Sequence, residues 1–267
     1  MNSKKLMVKP GKKLRLADHD PDDSHGFTKE QADRQLVKHQ AKLDQLQDLL
    51  YAEKKHALLI VLQALDAGGK DGTIRHVMSG VNPQSCDVTS FKAPTAEELG
   101  HDFLWRIHKA VPIKGTIGIF NRSHYEDVLI ARVHKLVPKS VWSKRYEHIN
   151  DFERMLADDG VKIVKFFLHI SKDEQKRRFE ERLSDPNKNW KSTPADFEER
   201  KLWDKYTAAF EAALSKCNAE WAPWYIIPAD KKWFRNLAVS QIIVEALESL
   251  NLEYPKIEFD PAQIVIK

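Results

Sequence analysis

Continuous apolar runs alternate along this chain with amphipathic stretches of helical spacing. Ala57-Leu58-Leu59-Ile60-Val61-Leu62 is a run of strand length with no polar alternation, the pattern of a strand covered on both faces. Similar runs occur at Gly115 to Phe120, Val161 to Ile170 and Trp224 to Pro228, with a shorter one at Val88 to Phe91. Between them lie segments that open like helices, with Thr95 three residues before Glu98 and Ser171 three before Glu174. Ahead of the first strand, Thr28 and Gln31 form another capping pair. Leu36, Leu43, Leu46, Leu49 and Leu50 then supply an apolar stripe at helical spacing. That stripe serves packing, either inside the chain or against a second copy of it. Residues 1–26 read as a polar arm. Strand-helix alternation over this length predicts an α/β domain with a central parallel sheet flanked by helices, and ligands in such sheets bind at the carboxyl ends of the strands.

Composition narrows the picture without changing it. At 267 residues, 42% hydrophobic and 31% charged, the chain suits one large domain with a full core. No run is long enough to span a membrane, and the basic N-terminus lacks the apolar segment of a secretion signal. Cys86 and Cys217 are the only cysteines and have no CxxC spacing, which points to a reducing compartment and a cytoplasmic protein. The net charge of +4 permits an anionic substrate and does not demand one.

The first apolar run leads directly into Asp66-Ala67-Gly68-Gly69-Lys70-Asp71-Gly72-Thr73, followed by a helical stretch. Three glycines let backbone N–H groups turn toward a ligand, and a helix N-terminus adds unpaired donors and the positive end of its dipole. Lys70 stands where an ammonium can bridge phosphates. Strand, glycine loop, lysine and helix in that order are the context of a phosphate-binding loop. Two positions depart from its usual form: Ala64 occupies the place of the first glycine, and Asp71 follows the lysine where a magnesium-binding hydroxyl is usual. Thr73 is displaced by two residues, and Asp66 is the carboxylate placed to hold a metal instead.

After the Gly115 to Phe120 run comes Asn121-Arg122-Ser123-His124-Tyr125-Glu126-Asp127, on the same sheet edge as the glycine loop. Arg122 and Glu126 are four apart and share a face if the turn is helical. The two segments, Gln63 to Gly72 and Phe120 to Leu129, together resemble the two signature motifs of the polyphosphate kinase 2 family. Ser90-Phe91-Lys92, Asp102 to Arg106 and Ala222-Pro223-Trp224-Tyr225 extend the resemblance over nearly the whole chain. The unusual phosphate loop is then the family's own form. The Asn121-Arg122-Ser123 start of the second motif, where other branches carry Asp-Arg-Ser, resembles the branch that accepts both AMP and ADP.

The resemblance implies a single domain over residues 1–267, a three-layer P-loop kinase-like sandwich with a helical lid at about 175–206. It implies phosphoryl transfer from inorganic polyphosphate to AMP or ADP, with Mg²⁺ as cofactor and Mn²⁺ as a substitute. Asp66, Lys70, Arg122, Asp127 and Arg178 are the expected catalytic residues, with Asp66 and Asp127 holding the metal. Ala67, Gly68, Gly69, Asp71, Gly72, Thr73, Asn121, Glu126 and Arg182 are the expected phosphate-binding residues, and Arg75 and Lys92, outside the motifs but near the same sheet edge, are candidates for a basic channel along the polyphosphate rod. Arg178 and Arg182 share a helix face and are expected to reach the transferring phosphoryl from the lid. The expected partners are polyphosphate, adenine nucleotides and further copies of the chain, with no nucleic acid and no membrane. Two other readings share some of these features. An ATP-dependent nucleoside monophosphate kinase has the same loop and lid. A nucleic-acid-binding module could use the loop for backbone phosphates, but no basic stripe interleaved with aromatic residues is present to support it.

Overall fold

A computed structural model describes residues 1–258 and 264. Five parallel strands form the sheet: β1 (Ala57–Gln63), β2 (Cys86–Ser90), β3 (Ile117–Asn121), β4 (Val161–His169) and β5 (Trp224–Pro228). They lie in the order β2-β3-β1-β4-β5. β1 is central, and all seven of its residues are buried. That is why it reads as an unbroken apolar run: a strand with helices on both faces has no solvent side on which to alternate. Its register sets Leu62 against both Asn121 and Phe166, so β1, β3 and β4 end at one edge.

The helices are α1 (Lys29–Glu53), α2 (Lys70–Val77), α3 (Ala96–Leu99), α4 (Trp105–His108), α5 (Ile130–Val133), α6 (Lys139–Trp142), α7 (Arg145–Asp158), α8 (Lys172–Ser184), α9 (Pro194–Lys201), α10 (Trp203–Lys216) and α11 (Lys232–Glu248). Thr28 caps α1 and Thr95 caps α3, each with the reciprocal bond from the residue three places on. One face of the sheet packs Leu58, Ile60 and Leu62 against Leu43, Leu46 and Leu50 of α1 and Phe234, Leu237 and Ile242 of α11. The other packs Leu59, Val61 and Phe120 against Ile149 and Phe152 of α7 and Phe210 and Leu214 of α10. The result is the expected three-layer sandwich, with Leu43, Leu46, Leu49 and Leu50 of α1 packed into its core.

The N-terminal arm is more ordered than its polarity suggests. Leu6, Val8 and Leu16 are buried, and the Leu6 carbonyl and Val8 amide bond the β5 backbone at 2.9 Å each. The arm thereby covers an edge of the sheet that would otherwise present unpaired backbone groups. Among the described residues no helix is long and apolar enough to cross a membrane. Burial pushes the thiols of Cys86 and Cys217 up to about 11 and about 12, which leaves both without thiolate chemistry near neutrality.

Candidate active site

The glycine loop sits where β1 ends and α2 begins. Gly69 caps α2 with φ +97°, a left-handed conformation that L side chains rarely adopt. A Cβ there would also stand 2.0 Å from Nη1 of Arg235. At Gly68 a Cβ would meet that of Ala64 at 2.5 Å, so the Ala64 side chain lies in the space that Gly68 leaves open. Ala67 in the same loop has φ +61°, and Arg122 at the neighbouring strand end has φ +63°. Two non-glycine residues held in that region at adjacent strand ends mark a backbone under constraint, which concentrates at ligand sites.

Three side-chain contacts join the loop to the second motif. Arg122 Nη2 donates to Asp66 Oδ1 at 3.0 Å, Asn121 Nδ2 donates to Asp71 Oδ1 at 2.7 Å, and Gln63 Nε2 donates to Ser123 Oγ at 3.1 Å. Lys70 Nζ donates to the Ala64 carbonyl at 3.0 Å, so the ammonium folds back over its own loop. Burial and the charge of Arg122 lower the pKa of Lys70, while Asp66, Glu126 and Asp71 act against them. Burial raises the pKa of Glu126, opposed by Arg122 and Lys70. Burial acts against the charge on Arg122, but Glu126 and Asp66 outweigh it and hold the guanidinium firmly protonated. Asp66, Lys70, Arg122 and Glu126 therefore form one mutually polarised cluster.

The expectation for Asp127 needs correction. Its carboxylate is held by Arg145 Nη1 at 2.8 Å, and the other charges acting on it are Arg106 and His124. Burial raises its pKa. It does not line the cavity beside Asp66. The reason is local: His124–Asp127 form a 3₁₀ turn, in which successive side chains are rotated by about 120°, so Glu126 and Asp127 point to different sides. Glu126, not Asp127, joins Asp66. Arg178 also differs from a swinging lid residue. Only 4% exposed, it donates from Nη1 to the Ala67 carbonyl at 2.9 Å, from Nε to Glu174 at 2.7 Å, and from Nη2 to the Ala229 and Asp230 carbonyls. It braces the loop from below. Arg182, one turn on, packs over Phe179. Thr73 is buried and its hydroxyl donates to the Gly69 carbonyl at 3.1 Å, which closes the first turn of α2. Arg75 and Lys92 are exposed and line neither of the cavities described next.

A cavity of about 210 Å³ opens over the cluster, floored by Asp66, Arg122 and Glu126 and walled by Gln175, Arg200, Trp203, Tyr206 and Phe210. A second of about 550 Å³ adjoins it through Leu65, Trp203 and Phe210 and reaches the N-terminal arm at Leu16 to Pro21. The expected lid forms the roof of the first. α9 is tied down through Arg200 Nη1 to Gln175 Oε1 at 2.8 Å, and Gln175 Nε2 reaches the Asp66 carbonyl at 2.9 Å. Glu199 of the lid meets His134 and Tyr206. Gln175, Arg200, Tyr206, Arg145 and Arg235 were not anticipated from sequence. Each is an ordinary polar residue on a helix, and its relation to the site exists only through tertiary contact.

Among the described residues no three His, Cys, Asp or Glu side chains gather into a metal cage. Magnesium in phosphoryl transfer is held by one or two carboxylates together with substrate phosphates and water. Asp66 and Glu126 beside Lys70 fit that requirement. A glycine loop with its lysine, an arginine, two carboxylates and a lidded cavity on one sheet edge can hold a chain of phosphates against a second anion.

Comparisons with known proteins agree with this geometry. A family model described as polyphosphate kinase 2 matches residues 26–255. An AMP/ADP-polyphosphate phosphotransferase of Meiothermus ruber is 55% identical over 99% of this chain and 100% of its own. An ADP-polyphosphate phosphotransferase of Rhodopseudomonas palustris is 53% identical over 80% of this chain and 78% of its own. The crystal structure of polyphosphate kinase 2 from Arthrobacter aurescens TC1 superposes with a TM-score of 0.94 at 45% identity, covering 97% of this chain and 93% of that one.

Proposed function

The chain belongs to the polyphosphate kinase 2 family, and from that membership we propose that it transfers phosphoryl groups from inorganic polyphosphate to AMP and ADP. One observation carries the reading: the Lys70 loop and the Asp66–Arg122–Glu126 cluster meet on one sheet edge beneath a helical roof.

The reaction breaks the terminal P–O–P bond of the polyphosphate and forms one between that phosphorus and a terminal oxygen of the nucleotide. The shortened polyphosphate leaves with the bridging oxygen and its electron pair. A nucleotide phosphate has a second pKa of about 6 and is already anionic near neutrality, so no strong general base is needed. What the protein supplies is in-line positioning and positive charge. The loop amides and Lys70 bind the donor. Arg122, fixed by Asp66, orients the acceptor phosphate from the other side. Arg178 holds the loop carbonyl of Ala67, so that the neighbouring amides stay aimed at the phosphates. The lid excludes water, which would otherwise take the phosphoryl group. Trp203, Tyr206 and Phe210 give the cavity an aromatic wall for the nucleoside. Mg²⁺, when bound at Asp66 and Glu126, would neutralise charge on the phosphoryl oxygens.

The test is ³¹P NMR of the purified protein with Mg²⁺, long-chain polyphosphate and AMP, without ATP. Successive ADP and ATP signals are expected. ADP alone would restrict the acceptor to AMP. No product there, with ADP formed from ATP and AMP, would make the protein an ordinary nucleotide kinase.

A further inference from the structure

Beneath the glycine loop lies a second buried guanidinium that the reaction as described does not use. Arg235 is in the first turn of α11 and is 2% exposed. Its Nη1 lies 2.0 Å from where a Cβ on Gly69 would be, and Nη2 lies 3.4 Å from the corresponding point on Gly72. The guanidinium therefore rests against the backbone of the loop itself. Nε and Nη2 donate to Asn236 Oδ1 at 3.1 and 2.8 Å, and Asn236 is neutral.

Among the described residues no carboxylate pairs with Arg235. Glu174, the carboxylate on the neighbouring Arg178, is engaged by Arg177 and Arg178. The charge that acts on Arg235 is the like-signed one of Arg178. Burial, with that repulsion added, lowers its pKa to about 9, so it remains a cation at neutral pH at a cost to the fold. Buried charges in stable proteins are paired or hydrogen-bonded by ionised partners, and a structural role here would be filled more favourably by an apolar side chain. The anion that can balance this charge is one bound on the other side of the Gly69–Gly72 backbone.

We propose that Arg235 is a phosphate-positioning residue, a buried cation whose counter-ion is the phosphate chain held in the loop above it. This rests on the phosphotransfer reading of the loop. Acting through a thin layer of glycine backbone in a low-dielectric setting, its field adds to that of Lys70 without occupying space in the site. It also accounts for glycine at position 69, where any side chain would displace the guanidinium.

The experiment compares the full chain with Arg235→Met, which removes the charge, and Arg235→Lys, which keeps it. Thermal midpoints are read with and without tripolyphosphate, and KM and kcat for polyphosphate are measured with ADP and Mg²⁺. Arg235→Met is expected to have an unliganded midpoint no lower than the parent. It should lose at least about half of the tripolyphosphate-induced rise and increase KM on the order of tenfold, with kcat much less affected. Arg235→Lys should recover most of the ligand response. An Arg235→Met protein with the parent's shift and KM would overturn the proposal. So would one that fails to fold or loses unliganded stability, because that is the signature of a structural plug. If the parent shows neither a tripolyphosphate shift nor transfer from polyphosphate, the functional reading fails and takes this proposal with it.

Discussion

Removing Glu153 should cost this protein both stability and activity, although Glu153 lies outside the cavity. Lys165, in the middle of β4, is fully buried; its ammonium donates to Glu153 of α7, to Tyr125 Oη at 2.8 Å and to the Cys217 carbonyl at 2.7 Å. Glu153 also accepts from Tyr125 Oη at 2.8 Å and lies 3.2 Å from His124 Nε2. Burial opposes the charge on Glu153, but Lys165 and His124 outweigh it and hold its pKa below the usual glutamate value. Burial lowers the pKa of Lys165. Glu153→Leu leaves an ammonium buried without its anion, and breaking a buried pair in this way costs about 3–5 kcal/mol. At about 2.1 cal/mol/K of unfolding entropy per residue, a chain of 267 residues loses roughly 5–9 °C of thermal midpoint. Lys165→Met should cost a similar amount. The double variant should be less damaged than the sum by more than about 1 kcal/mol, since neither charge is then stranded. Tyr125 and His124 lie in the 3₁₀ turn just after Arg122, so activity should fall in the single variants well below their midpoints. The sign with pH follows from the lowered pKa of Glu153: its contribution is full above the unfolded carboxylate value and is lost as pH falls through the lower folded one. Urea unfolding of the four proteins at pH 7 and at pH 4 decides the matter. Additive losses, or a single variant within about 1 kcal/mol of the parent, would refute the coupling.

Variants at three other positions have expected outcomes. Lys70→Met should lower kcat/KM by about 100-fold or more with little change in unfolding, as a lost charge at a phosphoryl site does; steady-state kinetics beside a melting curve check this. Burial raises the pKa of Glu126, so if its ionised form is needed the acid limb of the activity profile lies above the ordinary glutamate range, and Glu126→Gln should abolish that limb. A raised folded pKa also means that Glu126 costs stability at neutral pH and less as the pH falls, so Glu126→Gln should unfold no more easily than the parent at pH 7. Gly69→Ala should cost about 1–2 kcal/mol for its left-handed backbone, and more for displacing Arg235. Tripolyphosphate affinity should fall further than stability does, which titration calorimetry and melting would separate.

The parts of the fold visible in the sequence are those where burial is uniform or a backbone conformation requires one residue type. β1 shows itself because both faces are covered, and the phosphate loop shows itself because Gly68 and Gly69 are the residues that fit there. Lys165 is the counter-example. It interrupts the apolar run of β4, and nothing local reveals that Glu153, twelve residues earlier on another element, comes to meet it. The exchange of Glu126 for Asp127 at the cluster has a different origin. Sequence places both at the rim, and only the 3₁₀ turn after the left-handed Arg122 decides which one faces Asp66. Lid residues such as Arg200 and Glu199 lie in a mixed-charge helix indistinguishable by pattern from a solvated one.

The distribution of paired and unpaired cations beneath this site ties the physics of the fold to its chemistry. Lys165 is matched by Glu153, Arg145 by Asp127 and Arg178 by Glu174. The first ties β4 to α7 and the second ties the second motif to α7, while the third, within α8, orients the guanidinium that holds the Ala67 carbonyl of the loop. Arg235 touches the loop and has no such partner among the described residues, and Lys70 bonds only a carbonyl. A site fully neutralised by its own carboxylates would be more stable and would bind phosphate poorly, because each incoming anion would have to displace an internal one. Leaving cations unmatched at the loop, and holding it with matched ones further away, keeps positive potential where the phosphoryl group passes. The same division explains why Glu153 variants should lose stability and Arg235→Met should not, while both impair transfer. One residue neutralises a charge that the scaffold needs, and the other carries a charge whose partner is the substrate.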